Sequence, residues 1–142
     1  MPDVRIKWPN DLVVDGAKLA GILLEREGDA VVAGFGVNLA AHPEFVERPA
    51  TSIAALNGTA PDSEILLEAL AAAFARWLSC WRAEGIGSIC RRWLESAHPV
   101  GTPLVTSEGA GRFDGLDESG ALRLRLADDS TRTIRAGDVF LL

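Results

Sequence analysis

Apolar residues form short runs in the first part of the chain, a helical stripe in the middle and an alternating pattern near the end. The short runs predict four strands, over residues 4–8, 12–14, 18–25 and 30–38. Asp15-Gly16, between two of these runs, is a pair favoured by the primed turn of a hairpin. The runs are nearly continuous rather than alternating, so we expect helices to cover part of the sheet.

The middle of the chain predicts a loop and then a long helix. Residues 39–61 are rich in Pro and Gly and predict a loop with one helical turn at 51–57. Asp62 or Ser63 is suited to cap a helix that Gly85 ends. Bulky residues spaced by three and four predict the buried face of this helix. They are Leu66, Leu70, Phe74, Trp77 and Trp81.

A shorter helix should follow, capped by Ser88 and stopped by His98-Pro99, because proline displaces the residue before it from the helical region. Its expected inner face consists of Ile89, Trp93 and Leu94. From residue 103 onward the pattern changes to short strands, and Leu122 and Leu124 alternate with arginines as in a half-buried strand. The predicted strands cover residues 104–107, 111–116, 121–127, 131–135 and 139–142.

The residues between 7 and 25 carry the strongest chemical signal. Lys-Trp-Pro-Asn-Asp, at residues 7–11, is followed by the Asp15-Gly16 turn and by a second lysine, Lys18. Because the hairpin reverses the chain between them, Asp11 and Lys18 should face each other. Two cations, an amide and a carboxylate are thereby brought around one tight turn.

Three segments in this order resemble the biotin protein ligases: Lys-Trp-Pro-Asn-Asp at 7–11, Lys-Leu-Ala-Gly-Ile-Leu at 18–23 and Gly-Phe-Gly-Val-Asn at 34–38. The resemblance implies an α+β fold, with part of a class II synthetase-like mixed sheet and helices over residues 1–98. A small SH3-like β-barrel is implied over residues 99–142. The implied activity converts biotin and ATP into biotinyl-adenylate, then transfers biotin to a lysine of a biotin carboxyl carrier protein.

The resemblance also implies a portion that this sequence does not contain. The family carries an upstream Gly-Arg-rich loop that folds over biotin and the adenylate, and no Gly-Arg repeat occurs here. We therefore expect the chain to be the C-terminal part of a ligase and to be inactive alone. A non-catalytic module that binds biotin or the carrier is the alternative, with a lipoate ligase ranked below. An exposed sheet edge would favour dimers.

The resemblance assigns catalytic roles to Lys18 and Asp11. Lys18 would contact the biotin carboxylate or the phosphoryl oxygens, which repel each other until a cation neutralises them. Asp11 would bind Mg²⁺ or orient the acceptor lysine, and as a turn residue it would also accept backbone hydrogen bonds. These alternatives for Asp11 remain open at the level of the sequence.

Further residues are implied to contact substrate. Glycine weakens a strand unless something approaches its backbone, so Gly21 predicts either the biotin ring or a β-bulge. Gly34 and Gly36 would let the adenylate lie against their strand, Asn38 would hydrogen-bond adenine, and Asn10 is either a turn residue or near the phosphates. The full expected binding set is Lys7, Asn10, Gly21, Ile22, Leu23, Gly34, Gly36 and Asn38.

Composition and charge argue against several classes of function and of site. A formal charge of −6 and a pI near 4.9 argue against a nucleic-acid surface, which needs clustered Lys and Arg. The most apolar run is interrupted by Glu68 and Arg76, so we expect a cytoplasmic protein without a membrane span. Cys80 and Cys90 lack metal-ligand spacing and are expected to be reduced, buried thiols. His42 and His98 receive no role.

Overall fold

A computed structural model describes residues 3–44 and 47–142 of the chain. Within them, four strands are followed by three helices and five more strands. The first strands are β1 (Val4–Lys7), β2 (Asp11–Val14), β3 (Ala17–Glu27) and β4 (Ala30–Val37). The helices are α1 (Ile53–Asn57), α2 (Ser63–Glu84) and α3 (Ile86–Ser96). The last strands are β5 (Pro103–Thr106), β6 (Gly109–Leu116), β7 (Leu122–Arg125), β8 (Thr131–Ile134) and β9 (Val139–Leu141).

The chain divides into two compact units. The first contains the described residues of Met1–Ile6 and Asn10–Leu67, and the second contains Lys7–Pro9 and Glu68–Leu142. The compact units thus divide near the start of α2. The expected boundary between two family domains, at residues 98 and 99, remains a prediction.

The first sheet has the order β1-β2-β3-β4, with antiparallel pairing from β2 to β4. Asp15 and Gly16 have φ angles of 48° and 79°, as the primed turn between β2 and β3 requires. The four predicted strands and this turn are therefore confirmed, with small shifts at the strand ends.

The expected cover over this sheet is not found in the described residues. Leu23 and Leu24 are adjacent on β3 and both are more than 60% exposed, and Val31 and Val32 on β4 are exposed as well. Adjacent residues on a strand point to opposite faces, so both faces are open to solvent in this part of the sheet. A continuous apolar run predicts a strand that can be buried on both faces, but it does not determine whether another element packs against those faces.

Capping residues set the starts of α1 and α2. The Ser52 hydroxyl accepts a hydrogen bond from Ala55 N at 3.2 Å, and Asp62 Oδ1 accepts one from Glu64 N at 2.7 Å. Gly58 and Gly85, with φ angles of 81° and 79°, follow the last residues of α1 and α2. The predicted helical turn and the predicted start and end of the long helix are confirmed. Among the described residues, no helix combines the length and apolar character needed to cross a membrane.

The predicted burial of the α2 stripe is wrong. No described side chain of α2 is buried: Leu66 and Leu70 are half-buried, while Phe74, Trp77 and Trp81 are exposed. The spacing correctly identifies residues that share one helical face, but periodicity cannot determine whether another layer covers that face.

Helix α3 starts two residues before the predicted cap. Gly85 is its N-cap, and the Ser88 hydroxyl instead donates to Gly85 O at 3.0 Å. Trp93 packs against the core with its ring centroid 6.2 Å from that of Phe113, in an edge-to-face arrangement. Ile89 is half-buried as expected, but the inner position predicted for Leu94 is wrong because its side chain is exposed.

The second sheet is antiparallel, with the order β8-β7-β6-β5-β9. Leu122 and Leu124 are almost fully buried and alternate with exposed arginines, as predicted. The arginines Arg123 and Arg125 both contact the Asp114 carboxylate, at 3.0 and 2.7 Å. β8 and β9 form the two edges of this sheet, so the predicted closed barrel is not confirmed in the described structure. The coarser fold is mixed α/β with two antiparallel sheets.

Trp8, from the Lys-Trp-Pro-Asn-Asp segment, belongs to the core of this second unit. It is 7% exposed and clusters with buried residues of the second sheet, including Leu104, Phe113 and Leu122. Its indole N–H donates to Gly120 O at 3.3 Å. The peptide bond between Trp8 and Pro9 is cis. Trp8 therefore fills the core of the second unit.

Candidate functional site

The β2–β3 hairpin brings Lys18 and Asp11 into direct contact. Lys18 Nζ lies 2.6 Å from Asp11 Oδ1, which confirms the predicted approach of these two residues. The Asp11 side chain is 11% exposed and the Lys18 side chain is 48% exposed. The carboxylate is therefore anchored in the protein, while much of the lysine remains accessible to a ligand.

Gly21 provides the space that this ion pair needs. A Cβ atom at Gly21 would lie 2.9 Å from Lys18 Nζ, closer than real Cβ atoms approach, and 3.1 Å from Asp11 Oδ1, tighter than most real Cβ contacts. The close approach predicted at Gly21 is thus made by two protein side chains. A ligand is not required to explain the glycine.

An irregularity in strand pairing explains how Lys18 reaches Gly21. Strand residues three apart ordinarily point to opposite faces. Leu12 pairs with Ala20, but Val13 pairs with Lys18, so β3 has one extra residue at this point. Such an insertion bends the strand and redirects a side chain. The β-bulge considered as the alternative explanation for Gly21 therefore has support from the register.

The segment after the loop holds the backbone of Lys18 from one side. Lys18 N donates to Pro49 O at 2.8 Å, and Thr51 N donates to Lys18 O at 2.9 Å. Asn38 strengthens this arrangement, because its side-chain N–H groups donate to Thr51 O at 2.9 Å and to Lys18 O at 3.3 Å. Both amide donors of Asn38 are thereby used within the protein. Its predicted contact with adenine remains a prediction that can involve only the carbonyl oxygen.

Asn10 joins the bend to β3. Its amide N–H donates to Ile22 O, and Ile22 N donates to Asn10 O at 3.0 Å. Asn10 therefore has a structural contact with β3, and its expected place near the phosphates remains a prediction. Both backbone polar groups of Ile22 are used in this contact, and the expected contact between Ile22 and substrate remains a prediction.

A half-open cavity lies beside the ion pair. Its volume is about 220 Å³, smaller than the roughly 300–1,000 Å³ of typical ligand pockets. A cavity of this size can hold part of a substrate rather than the whole of a biotinyl-adenylate. The lining residues are Lys18, Ala20, Gly21, Gly36, Asn38, Pro43, Arg48 and Ala50.

The structure brings together some of the predicted residues and leaves others apart. Lys18, Gly21, Gly36 and Asn38 line the cavity, and Asp11 contacts Lys18. The remaining predicted residues are outside the lining. Three of them, Ile22, Leu23 and Gly34, belong to β3 and β4, and Lys7 groups with the second compact unit.

Arg48 is a charged residue in the cavity lining whose position the sequence pattern does not predict. It stands in a loop rich in proline, without a periodic pattern or a recognised motif. Its place at the cavity follows from the pairing of its neighbours with Lys18, thirty residues earlier in the chain. That pairing could not be read from local sequence.

The described residues do not form a complete metal site by themselves. Across residues 3–44 and 47–142, no group of three or more His, Cys, Asp or Glu side chains could hold a metal ion. Mg²⁺ takes oxygen ligands in octahedral geometry, but Asp11 Oδ1 is already in contact with the Lys18 ammonium. Asp11 is thus paired with a cationic nitrogen atom, and its expected role in binding Mg²⁺ remains a prediction.

The remaining candidate groups show structural contacts. His42 Nδ1 lies 3.2 Å from the hydroxyl of Ser52, the residue that caps α1. Cys80 and Cys90 are free, half-buried thiols, so the expectation of reduced cysteines is confirmed and that of full burial is not. Burial, together with the nearby Asp117 carboxylate, raises the pKa of the Cys90 thiol. A protonated thiol is a poor nucleophile.

Comparison with known proteins agrees with the resemblance seen in the sequence. Residues 2–39 match the Biotin/lipoate A/B protein ligase family, and residues 110–142 match the Biotin protein ligase C terminal domain. The chain is 43% identical over 151 residues to the biotin--[acetyl-CoA-carboxylase] ligase of Paracoccus denitrificans, covering 96% of this chain and 62% of that protein. It is 37% identical to the Mycobacterium tuberculosis protein of the same name, covering 96% and 53%.

A solved structure shows the same fold. The biotin protein ligase from Aquifex aeolicus, in complex with biotin and ATP, superposes with a TM-score of 0.85 and 22% identity. The superposition covers 98% of this chain and 62% of that one. The chain thus spans between half and two thirds of the relatives and the structure compared here. These matches show that the chain belongs to the biotin protein ligase family.

Proposed function

We propose that the chain is part of an enzyme that attaches biotin to a biotin carboxyl carrier protein, using ATP. The observation that carries this proposal is the Lys18–Asp11 ion pair, set over Gly21 at the edge of a cavity. The pair places an accessible ammonium where an anionic ligand can reach it. The family membership of the chain supports biotin and ATP as the two small substrates.

The first step would join the two substrates. A carboxylate oxygen of biotin attacks the α-phosphorus of ATP, the bond between the α-phosphorus and the bridging oxygen breaks, and pyrophosphate leaves. Both reacting groups are anions and repel each other. The Lys18 ammonium would reduce this repulsion and stabilise the charge that accumulates on the phosphoryl oxygens.

The second step would transfer biotin to the carrier. The neutral amine of the carrier lysine attacks the acyl carbon of biotinyl-adenylate, AMP leaves with the bonding electrons, and the nitrogen loses a proton. Asp11 would assist in both steps by holding Lys18 in place and by orienting the acceptor lysine. The geometry favours these roles over magnesium binding, because Asp11 already pairs with an ammonium group.

The other residues would have supporting roles. Asn38 and Asn10 would fix β3 at two points, through their hydrogen bonds to the backbone of Lys18 and Ile22. Gly36, which lines the cavity, would let the adenylate lie close to β4. We assign the second sheet to the SH3-like domain of the family, on the basis of the match over residues 110–142.

The isolated chain would not complete the reaction. Its cavity is smaller than the usual size of a ligand pocket, and apolar residues of β3 and β4 are exposed in the described part of the chain. Water would reach the acyl-adenylate, and the substrates would be poorly oriented. The same observations favour, for the isolated chain, the alternative of a non-catalytic module that binds biotin or the carrier.

The test is biotin-dependent exchange of labelled pyrophosphate into ATP. Residues 1–142 alone should show no exchange above background. The chain joined to the upstream portion of the Paracoccus relative should restore exchange, and Lys18→Ala should abolish it again. Arg26→Ala is a matched control, because Arg26 donates to Gly28 O in the exposed β3–β4 turn.

Two results would contradict the proposal in different ways. Exchange by residues 1–142 alone, at the rate of a whole ligase, would show that the cavity is complete as it stands. Failure of the joined protein to exchange, although it folds and binds biotin, would favour the non-catalytic module. Equal losses in Lys18→Ala and Arg26→Ala would remove the specific role of Lys18.

A further inference from the structure

The loop between β4 and α1 is fixed at its start by backbone hydrogen bonds. Ile53 N donates to Asn38 O at 3.0 Å. The next residue of the helix, Ala54, donates its N–H to Leu39 O at 2.9 Å. In the described part of this loop, the next hydrogen bond after Leu39 is made by His42. His42 is therefore placed to fix the part of the loop that follows the anchored start.

The partner of His42 is the buried hydroxyl of Ser52. Ser52 is 1% exposed, and its Oγ lies 3.2 Å from His42 Nδ1. The same oxygen accepts a hydrogen bond from Ala55 N at 3.2 Å, as the cap of α1. Because the oxygen is already an acceptor, its O–H can donate to Nδ1 of a neutral imidazole. A buried hydroxyl that loses such a partner costs free energy, so this contact holds His42 at the start of α1.

The two residues joined by this hydrogen bond lie next to two parts of the cavity lining. Pro43 follows His42 directly and lines the cavity, and Ala50, two residues before Ser52, lines it as well. Ala50 also forms a parallel bridge with Lys18 of β3. The hydrogen bond thus ties the segment that carries Pro43 to the segment that pairs with β3.

Pro43 shares the cavity lining with Gly36 and Asn38, at the end of β4. In the proposed reaction the nucleotide would lie against this strand. We propose that His42 is a positioning residue, which through Ser52 holds Pro43 as a wall of the cavity and thereby sets the affinity for ATP. The assignment rests on the proposed function. His42 acts through Pro43 rather than by touching the substrate.

The test measures kcat and the KM values for ATP and biotin in pyrophosphate exchange, using the ligase formed by this chain and the upstream portion of the Paracoccus relative. His42→Ala should raise the KM for ATP about fivefold or more, because the lost hydrogen bond releases the wall beside the nucleotide. The kcat and the KM for biotin should change less than about twofold, as expected when binding is lost without loss of chemistry.

Two further variants at this position separate the hydrogen bond from the ring. His42→Asn keeps an acceptor close to the position of Nδ1 and should return the KM for ATP towards the parent value. His42→Phe keeps a ring without an acceptor and should behave like His42→Ala. Ser52→Ala should also raise the KM for ATP, and combining it with His42→Ala should add no further increase, since both residues act through one contact.

Amide hydrogen exchange of the same ligases, followed by mass spectrometry, tests the loop without requiring activity. The amides of Ile53 and Ala54 should exchange about fivefold faster in His42→Ala and at the parent rate in His42→Asn.

Faster amide exchange with an unchanged KM for ATP would overturn the assignment, because His42 would then only stabilise the loop. An equal rise in the KM for biotin would overturn it as well, and so would a KM for ATP in His42→Asn as high as in His42→Ala. These results require an active parent ligase and reject the assignment alone. A folded parent ligase without pyrophosphate exchange would instead contradict the proposed function, and the assignment would fail with it.

Discussion

The Lys18 ammonium and the Asp11 carboxylate are 2.6 Å apart, with Gly21 directly beside both groups. Asp11 lies directly opposite Gly21 in the β2–β3 register, so the pairing of the two strands places the carboxylate beside the glycine. Lys18 joins them through the irregular register of β3. The position of the lysine side chain is therefore set by the sheet, and each of the three residues can be tested separately.

Asp11→Asn should reduce biotin transfer in a complete ligase by about 100-fold while leaving the fold intact, because asparagine keeps the turn geometry and loses the charge that holds Lys18. Single-turnover transfer to a carrier domain measures the effect, and circular dichroism verifies the fold. Unchanged transfer kinetics at saturating magnesium would leave Asp11 with a turn role alone.

Gly21→Ala should displace the Lys18 side chain, because the added Cβ would lie 2.9 Å from Nζ and 3.0 Å from Cε. The neighbour is the end of a flexible side chain, so the cost to stability should be small, while misorientation should slow pyrophosphate exchange about 10-fold or more. Gly87→Ala, on α3, is the control for adding a methyl group at a glycine with room for it. Exchange at the parent rate in Gly21→Ala would show that the position of Lys18 does not matter.

Trp8→Ala should lower the free energy of unfolding by about 3 kcal/mol or more, because it leaves a large cavity in the core of the second unit. Trp81→Ala, at a side chain that is 52% exposed on α2, should change it by much less. Urea denaturation followed by circular dichroism measures both variants. Similar losses in the two would contradict the different burial of these tryptophans.

Asp117 should contribute to stability at neutral pH and lose that contribution in acid. Hydrogen bonds from Ser119, chiefly from its hydroxyl, and from the Ala121 backbone hold the pKa of Asp117 below its ordinary value of 3.8. The ionised form is thus favoured in the folded state, and the contribution disappears as the pH falls from about 4 through the lower folded pKa.

Asp117→Ala should therefore be less stable than the parent protein at pH 7, and the difference should shrink as the pH approaches 2. Urea midpoints measured across this range give the comparison, and Glu118→Ala is a control for removing a neighbouring exposed carboxylate. A difference that stays constant with pH would mean that the carboxylate contributes through its shape rather than its charge.

The exposed apolar residues of β3 and β4 should make residues 1–142 self-associate. Leu24 and Val31 are both 65% exposed, and β4 is an edge strand of the first sheet. Light scattering should detect dimers or larger species, and Leu24→Lys with Val31→Lys should shift them towards monomer. Thr131→Lys, on the edge strand β8, adds positive charge outside this surface. Monodisperse monomers of the unsubstituted chain would contradict the prediction.

The hairpin that carries the site could be predicted because its determinants are local. Asp15 and Gly16 favour one turn type, and that turn places Asp11 and Lys18 on neighbouring strands. The irregular register that completes their contact could not be predicted from the local sequence. The burial of α2 could not be predicted in the same way, because its spacing defines an apolar face without identifying what covers it. The burial of Trp8 could not be predicted either, because the residues that cover it belong to the second sheet, about a hundred residues further along the chain.

The position of Arg48 at the cavity could not be predicted from the local sequence, for a related reason. A single arginine in a loop has no periodic pattern. Arg48 is placed at the cavity only because Pro49 and Thr51 pair with the backbone of Lys18. The hydrogen bonds of Asn38 could not be predicted for the same reason, because its amide donors are used by backbone carbonyls that the sequence does not place beside it.

The loop between Asn38 and Pro49 is anchored at both ends to the same short stretch of β3. Asn38 N donates to Leu19 O at 3.0 Å, and Pro49 O accepts from Lys18 N at 2.8 Å. Closing a longer loop between fixed ends costs little additional entropy. Insertions and deletions between these anchors can therefore accumulate among homologous sequences without moving Lys18, so the length of this loop is free to vary while the geometry of the lysine is preserved.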